Sequence, residues 1–172
     1  MEKRLVMLNK MKTSGGALAL ALAFAAAPAP AQAMGPDAAA CRGGGTGILV
    51  TVDGFRTRTG NVRVALYGSN PRSFLARGQT LRKIDLPVSR SGPMQICVAV
   101  PNPGRYAVAV RHDVDGNGRS GWSDGGGFSR NPDISLANLR PSYERVAINV
   151  RGVTPVRVVL NYRFGLSIRP VS

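Results

Sequence analysis

The chain has 172 residues, with 23 Lys and Arg against 9 Asp and Glu, a formal net charge of +14. This is a one-domain length, and its longest apolar run is far shorter than the roughly 20 residues that span a bilayer as a helix. The basic residues are dispersed among apolar ones and never form a run of five or six, which argues against nucleic acid as a partner and for a solvated, cationic surface.

The first element is a secretory signal. Glu2, Lys3, Arg4, Lys10 and Lys12 make a charged start, and Ala17 to Ala27 form an apolar run of eleven. Ala31-Gln32-Ala33 then offers small residues where a signal peptidase cuts. The run is about half the length of a membrane span, so residues 1–33 read as cleaved and not as an anchor. Removing 33 of 172 residues takes away four basic groups and one acidic, and leaves 139 residues with 19 basic against 8 acidic, or +11. The expected location is periplasmic or secreted. That setting is oxidising, so Cys41 and Cys97 are expected to pair.

Residues 34–45 are rich in Ala and Gly and read as a flexible leader held by Cys41. From Ile48 onward the hydrophobic period is two. Ile48, Val50 and Val52 alternate with Leu49 and Thr51; Val62, Val64 and Leu66 with Arg63, Ala65 and Tyr67. Leu81 to Val88 is a weaker segment. Ile96, Val98 and Val100 follow, then Tyr106, Val108 and Val110, then Val146, Ile148 and Val150, and last Val156, Val158, Leu160 and Tyr162. Such alternation turns one set of side chains to a core and the other to solvent. Turn signals separate the runs, among them Asp53-Gly54, Ser91-Gly92-Pro93, Pro101-Asn102-Pro103-Gly104 and Arg151-Gly152. Pro71 to Ala76 is the one helical candidate. About seven short antiparallel strands within residues 46–165 predict an all-β sandwich, with 166–172 as a C-terminal tail.

One long irregular segment interrupts the pattern, from His112 to Leu139, and loops of that length are commonly functional. Asp113, Asp115, Asn117, Gly118 and Asp124 occupy positions 1, 3, 5, 6 and 12 of a calcium-loop spacing, and the Arg119 carbonyl falls at position 7. Alternate oxygen-bearing side chains on a tightly turning backbone converge on one point, as a hard cation requires. Three of the eight mature acidic residues lie in these twelve positions. Asp124 stands where a longer Glu is expected, which weakens affinity. Calcium is the expected cofactor, ahead of magnesium, in a structural role. The other reading is turn chemistry, with Asx side chains bonding their own backbone and Arg111, Arg119 or Arg130 neutralising the carboxylates.

His112 is the only histidine. A catalytic triad with Asp113 and one of Ser120, Ser123 or Ser129 is a remote reading, because neighbouring strand residues face opposite ways and no nucleophile-elbow pattern surrounds a serine. No other catalytic signature is present, so the expectation is a protein that is not an enzyme. Trp122 and Phe128 are aromatic residues in a Gly-rich loop, either a lid packed on the end of the sandwich or, with His112, a ligand platform.

Pro103-Gly104-Arg105-Tyr106-Ala107-Val108-Ala109-Val110, then His112-Asp113-Val114-Asp115-Gly116-Asn117-Gly118, then Gly127-Phe128-Ser129-Arg130-Asn131, resemble the bacterial domain-of-unknown-function family 2141. The likeness runs from about Thr46 to Phe164. The Gly-x-Pro-x-Glu stretch usual in that family before Gly-Phe-Ser is missing here, where Asp124 passes straight into Gly125-Gly126-Gly127. The resemblance implies an exported prealbumin-like or immunoglobulin-like sandwich and no known activity. The leading expectation is therefore an exported binding protein with a calcium-holding loop that shapes a face at one end. The alternative is a cationic envelope module that holds anionic glycan or lipid phosphate through its arginines.

Overall fold

In a computed structural model that describes residues 34–171, Gly43 excepted, the period-two runs are strands. The expected signal segment lies outside the described residues. The strands are β1 (Gly47–Asp53), β2 (Asn61–Tyr67), β3 (Arg82–Pro87), β4 (Met94–Ala99), β5 (Gly104–Asp113), β6 (Gly125–Phe128), β7 (Ile148–Val150), β8 (Val153–Val159), β9 (Asn161–Phe164) and β10 (Ser167–Pro170), with one α-helical turn, α1 (Tyr143–Val146), and 3-10 turns at Ala38–Cys41 and, within the expected helical stretch, at Pro71–Ser73. They form two sheets. The smaller has the order β4-β1-β8; the larger runs β10-β9-β6-β5-β2-β3, with β7 paired to the start of β5.

The sandwich closes because each sheet turns its β-branched set inward. Ile48, Val50 and Val52 of β1, Ile96 and Val98 of β4, and Val158 of β8 meet Val62, Val64 and Leu66 of β2 and Val108 and Val110 of β5 in one core. Each such side chain contributes about 1.5–3 kcal/mol when taken fully out of water. A second, smaller cluster lies elsewhere: Ala65, Tyr67 and Ala107 pack with Tyr143 and Val146 of α1, and with Phe74 and Phe128.

The structure corrects the expected strand set in four places. β1 and β8 pair in parallel, with Val50 opposite Val156, so the fold is largely but not wholly antiparallel. Alternation reports which face a residue takes, not which way its neighbour runs. Val146 belongs to α1, where the Ala147 N–H donates to the Tyr143 carbonyl at 2.8 Å. The run Val156 to Tyr162 is two strands in different sheets, divided at Leu160, whose N–H donates to the Asp53 carbonyl at 2.9 Å. Finally β6 and β10, in the long loop and in the tail, lack the alternation that reveals a strand.

The stretch before β1 is tied down along β4. The Met34 N–H donates to the Gln95 carbonyl and the Met34 carbonyl accepts from Cys97. Cys41 and Cys97 form the expected disulfide, with Cα atoms 5.9 Å apart. Asp37 accepts from Arg82 at 2.5 and 2.9 Å and from the Ala99 N–H at 3.1 Å. These contacts give residues read as a flexible leader a defined place on the sheet.

Candidate functional site

The acidic loop joins β5 to β6 at one end of the larger sheet, and its base is a buried histidine. His112 has no exposed surface. Its Nε2 lies 2.8 Å from the Thr59 carbonyl, and a carbonyl only accepts, so Nε2 carries the proton. Nδ1 therefore accepts from the Tyr162 hydroxyl, 2.6 Å away. Burial pushes the imidazole pKa below its ordinary value, against the opposing pull of the Thr59 carbonyl and the Asp124 charge, and the ring is neutral. Phe55 and Tyr162 both pack edge-to-face on it. The His112–Tyr162 contact thus ties β5 to β9 across β6.

β6 lies between them because it is glycine. A Cβ on Gly125 would fall 2.4 Å from Cε1 of the Tyr162 ring, and one on Gly127 would fall 2.6 Å from the Val159 carbonyl oxygen. A side chain at Gly125 runs into the Tyr162 ring, and one at Gly127 runs into the Val159 backbone.

Beyond His112 the chain turns into the loop, and Asp113, Asp115 and Asp124 each place a carboxylate oxygen within 4.8 Å of the others. Asp113 is the buried member, its side chain only 5% exposed. Its Oδ2 accepts from the Gly118 N–H at 2.8 Å and faces Arg111 at 3.3 Å, while its Oδ1 is buried with no hydrogen-bond partner. Gly118 adopts φ +77°, a left-handed turn that favours glycine. Burial raises the Asp113 pKa, but the Gly118 N–H, the Arg111 charge, Asp115 and the Gly116 N–H together outweigh it and hold the carboxyl below its usual range. Asp124 accepts from the Val114 N–H at 3.1 Å and the Gly121 N–H at 2.9 Å.

The remaining expected donors serve the turn. The Asn117 amide nitrogen donates to Asp115 at 2.6 Å, and its oxygen accepts from the Arg119 N–H at 2.7 Å. Asn117 thus presents its nitrogen, not its oxygen, to Asp115, and Arg119 is engaged through its N–H. Arg111 is the one basic group in ion-pair contact with the triad among the described residues. Three carboxylates and one guanidinium leave a local charge of about −2.

The aromatic pair divides. Trp122 is 76% exposed, so it is not packed inward as a lid; the Arg163 guanidinium lies 3.7 Å from its ring centroid. Trp122 also lines a hollow of about 220 Å³ with Ile134, Leu136 and Leu139. Phe128 does pack inward, edge-to-face with Phe74. Of the serines considered with His112, Ser129 is buried and bonded to the Val108 N–H at 3.0 Å and the Val146 carbonyl at 2.5 Å, and Ser120 contacts Arg111. Neither ring nitrogen of His112 faces a serine.

Sequence reasoning missed Tyr162 as the partner of His112, since its place in the alternation marked it only as core. It also missed Arg163, whose contact with Trp122 joins residues 41 positions apart and leaves no local signal.

Among the described residues no helix is long and apolar enough to cross a membrane. No curated protein and no solved structure matches the chain. Residues 50–157, from the second half of β1 through most of β8 and including the whole acidic loop, match the model of DUF2141, described as an uncharacterized protein conserved in bacteria. The chain belongs to that bacterial family, and its own acidic loop stands on a β-sandwich stapled by Cys41–Cys97.

Proposed function

We propose that this is an exported binding protein, without catalytic activity of its own, whose Asp113–Asp124 loop takes up a calcium ion that fixes the shape of one end of the larger sheet. The observation that carries the reading is Asp113 Oδ1, a buried carboxylate oxygen with no partner inside an acidic triad. Leaving such an oxygen unpaired costs about 1–3 kcal/mol or more, and a cation removes that cost. The residual charge of about −2 around the triad is what a divalent ion neutralises. The oxygens that already accept one N–H keep a second lone pair for a metal. Calcium is favoured over magnesium because it tolerates irregular sets of oxygen ligands, whereas magnesium demands a near-octahedral site.

Export is supported by the signal-like N-terminus and by the disulfide, which persists in oxidising compartments. Binding instead of catalysis is supported by the engagement of both His112 nitrogens and of the Ser129 hydroxyl inside the fold.

Calorimetric titration with calcium and with magnesium at fixed ionic strength, combined with thermal unfolding, tests the reading. One calcium is expected to bind, and at a hundredfold excess over Kd it should stabilise the fold by about 2.7 kcal/mol. Asp113→Asn should lose the calcium response while staying folded. An unchanged melting temperature at millimolar calcium refutes it.

A further inference from the structure

The larger sheet also carries a cleft for which the acidic loop does not account. Ala65 of β2, Ala109 of β5 and Gly126 of β6 line it together with the apolar side chains of Leu75, Phe128 and Leu139, and it is an open groove of about 500 Å³. That volume lies within the range of small-molecule sites. Three guanidinium groups, Arg63, Arg111 and Arg140, share the lining with one carboxylate, Asp124. Arg63 is paired with Asp85 at 2.6 Å and Arg111 with Asp113 at 3.3 Å. Arg140 makes no ion pair and no side-chain hydrogen bond among the described residues. A cleft that is apolar in part and positively charged in part complements an amphiphilic anion.

Gly126 supplies an independent observation. Its neighbours Gly125 and Gly127 are required by packing, but a Cβ on Gly126 would meet only the Val110 carbonyl oxygen, at an ordinary 3.7 Å, and its φ lies outside the left-handed region. Nothing within the fold demands glycine there, although glycine inside a strand costs about 0.5–1 kcal/mol relative to alanine. The missing side chain leaves open the place where the cleft adjoins the hollow beside Trp122, since Gly126 lines both. A strand glycine without a packing reason marks a close approach of something to the backbone.

We propose that this cleft binds a free, monomeric phosphate amphiphile. Its apolar chain lies over Gly126 between Phe128 and Leu139 and extends toward Trp122, and its phosphate is met by Arg140 with Arg63 and Arg111. Arg140 is free to offer paired N–H donors to the phosphate oxygens, while Arg63, held by Asp85, and Arg111, held by Asp113 and Ser120, add positive charge beside it. The bound calcium is not required.

The test uses the exported chain in a chelator-containing buffer, titrated calorimetrically with n-octyl phosphate below its micellar range. Octyltrimethylammonium and inorganic phosphate serve as comparison probes. Octyl phosphate should bind at one saturable site at least about tenfold more tightly than either, since only it satisfies both halves of the cleft. Arg140→Ala, a change at an exposed side chain, should weaken it by about tenfold. Gly126→Val should abolish it without lowering the melting temperature. The proposal is overturned if octyl phosphate shows no saturable binding, if the ammonium amphiphile binds equally, if neither variant changes the affinity, or if only phosphatidylglycerol vesicles are bound.

Discussion

Replacing Gly125 with alanine adds one methyl group at a crowded contact of the site. The new Cβ falls 2.4, 2.5 and 2.9 Å from three atoms of the Tyr162 ring. That ring cannot simply swing aside, because its hydroxyl is bonded to His112 Nδ1 at 2.6 Å and His112 is itself held by Thr59 at 2.8 Å. Overpacking of this kind costs about 1–3 kcal/mol. If the ring moves enough to release His112, a buried imidazole nitrogen is left unpaired for about 1–3 kcal/mol more. The sum is about 2–6 kcal/mol, which at about 3–4 °C per kcal/mol for a domain of this size lowers the melting temperature by roughly 6–24 °C. Thermal and urea unfolding followed by circular dichroism measure it, with Gly126→Ala as the comparison, since the Cβ there meets no atom closer than 3.7 Å. If Gly125→Ala and Gly126→Ala unfold at the same temperature, the account of a histidine–tyrosine tether pinned beneath β6 is wrong.

Two further outcomes are expected of the domain itself. Breaking Cys41–Cys97, whose partners are 56 positions apart, by reduction or by paired Cys→Ser substitution should cost about 4 kcal/mol of stability in a urea titration, and an unchanged midpoint refutes that estimate. Stability should also fall in two steps with acid. His112 has a folded pKa lowered by burial, so its contribution is intact above the unfolded value of about 6.5 and is lost as pH falls from there toward the folded value. Asp37 and Asp53 have folded pKa values below 3.8, so their contribution is intact above that value and is lost as pH falls through the folded values. Melting curves of the parent chain and of His112→Gln separate the steps, since the variant should lack the upper one; a parent curve flat between pH 7 and 5 refutes the assignment.

Much of this was legible in the residues because it is local. Period-two alternation at Ile48–Val52 or Val62–Leu66 reports a buried strand face wherever that strand ends up. The spacing of Asp113, Asp115 and Asp124 around Gly118 brings three carboxylates together through the turn of a single loop. The pairing of Cys41 with Cys97 needed only a count of two and an oxidising setting. Other features carry no such signal. Gly125-Gly126-Gly127 looks like a loop until the ring of Tyr162 and the backbone of Val159 explain why two of the three can have no side chain. Val156 to Tyr162 reads as one strand, because hydrophobic alternation continues through Leu160 while the hydrogen-bonding partners change from one sheet to the other.

The site divides along the same line. Sequence alone determined that an acidic, glycine-punctuated loop follows a strand ending in His112-Asp113, because those residues are neighbours in the chain. Only the tertiary structure decided that Asp113 is buried with one oxygen unpaired, that Arg111 is its sole ion-pair partner among the described residues, and that His112 is held by Thr59 and Tyr162 from 53 and 50 positions away. Burial and long-range hydrogen bonds depend on which strands pack together, and no local pattern in the chain records that choice.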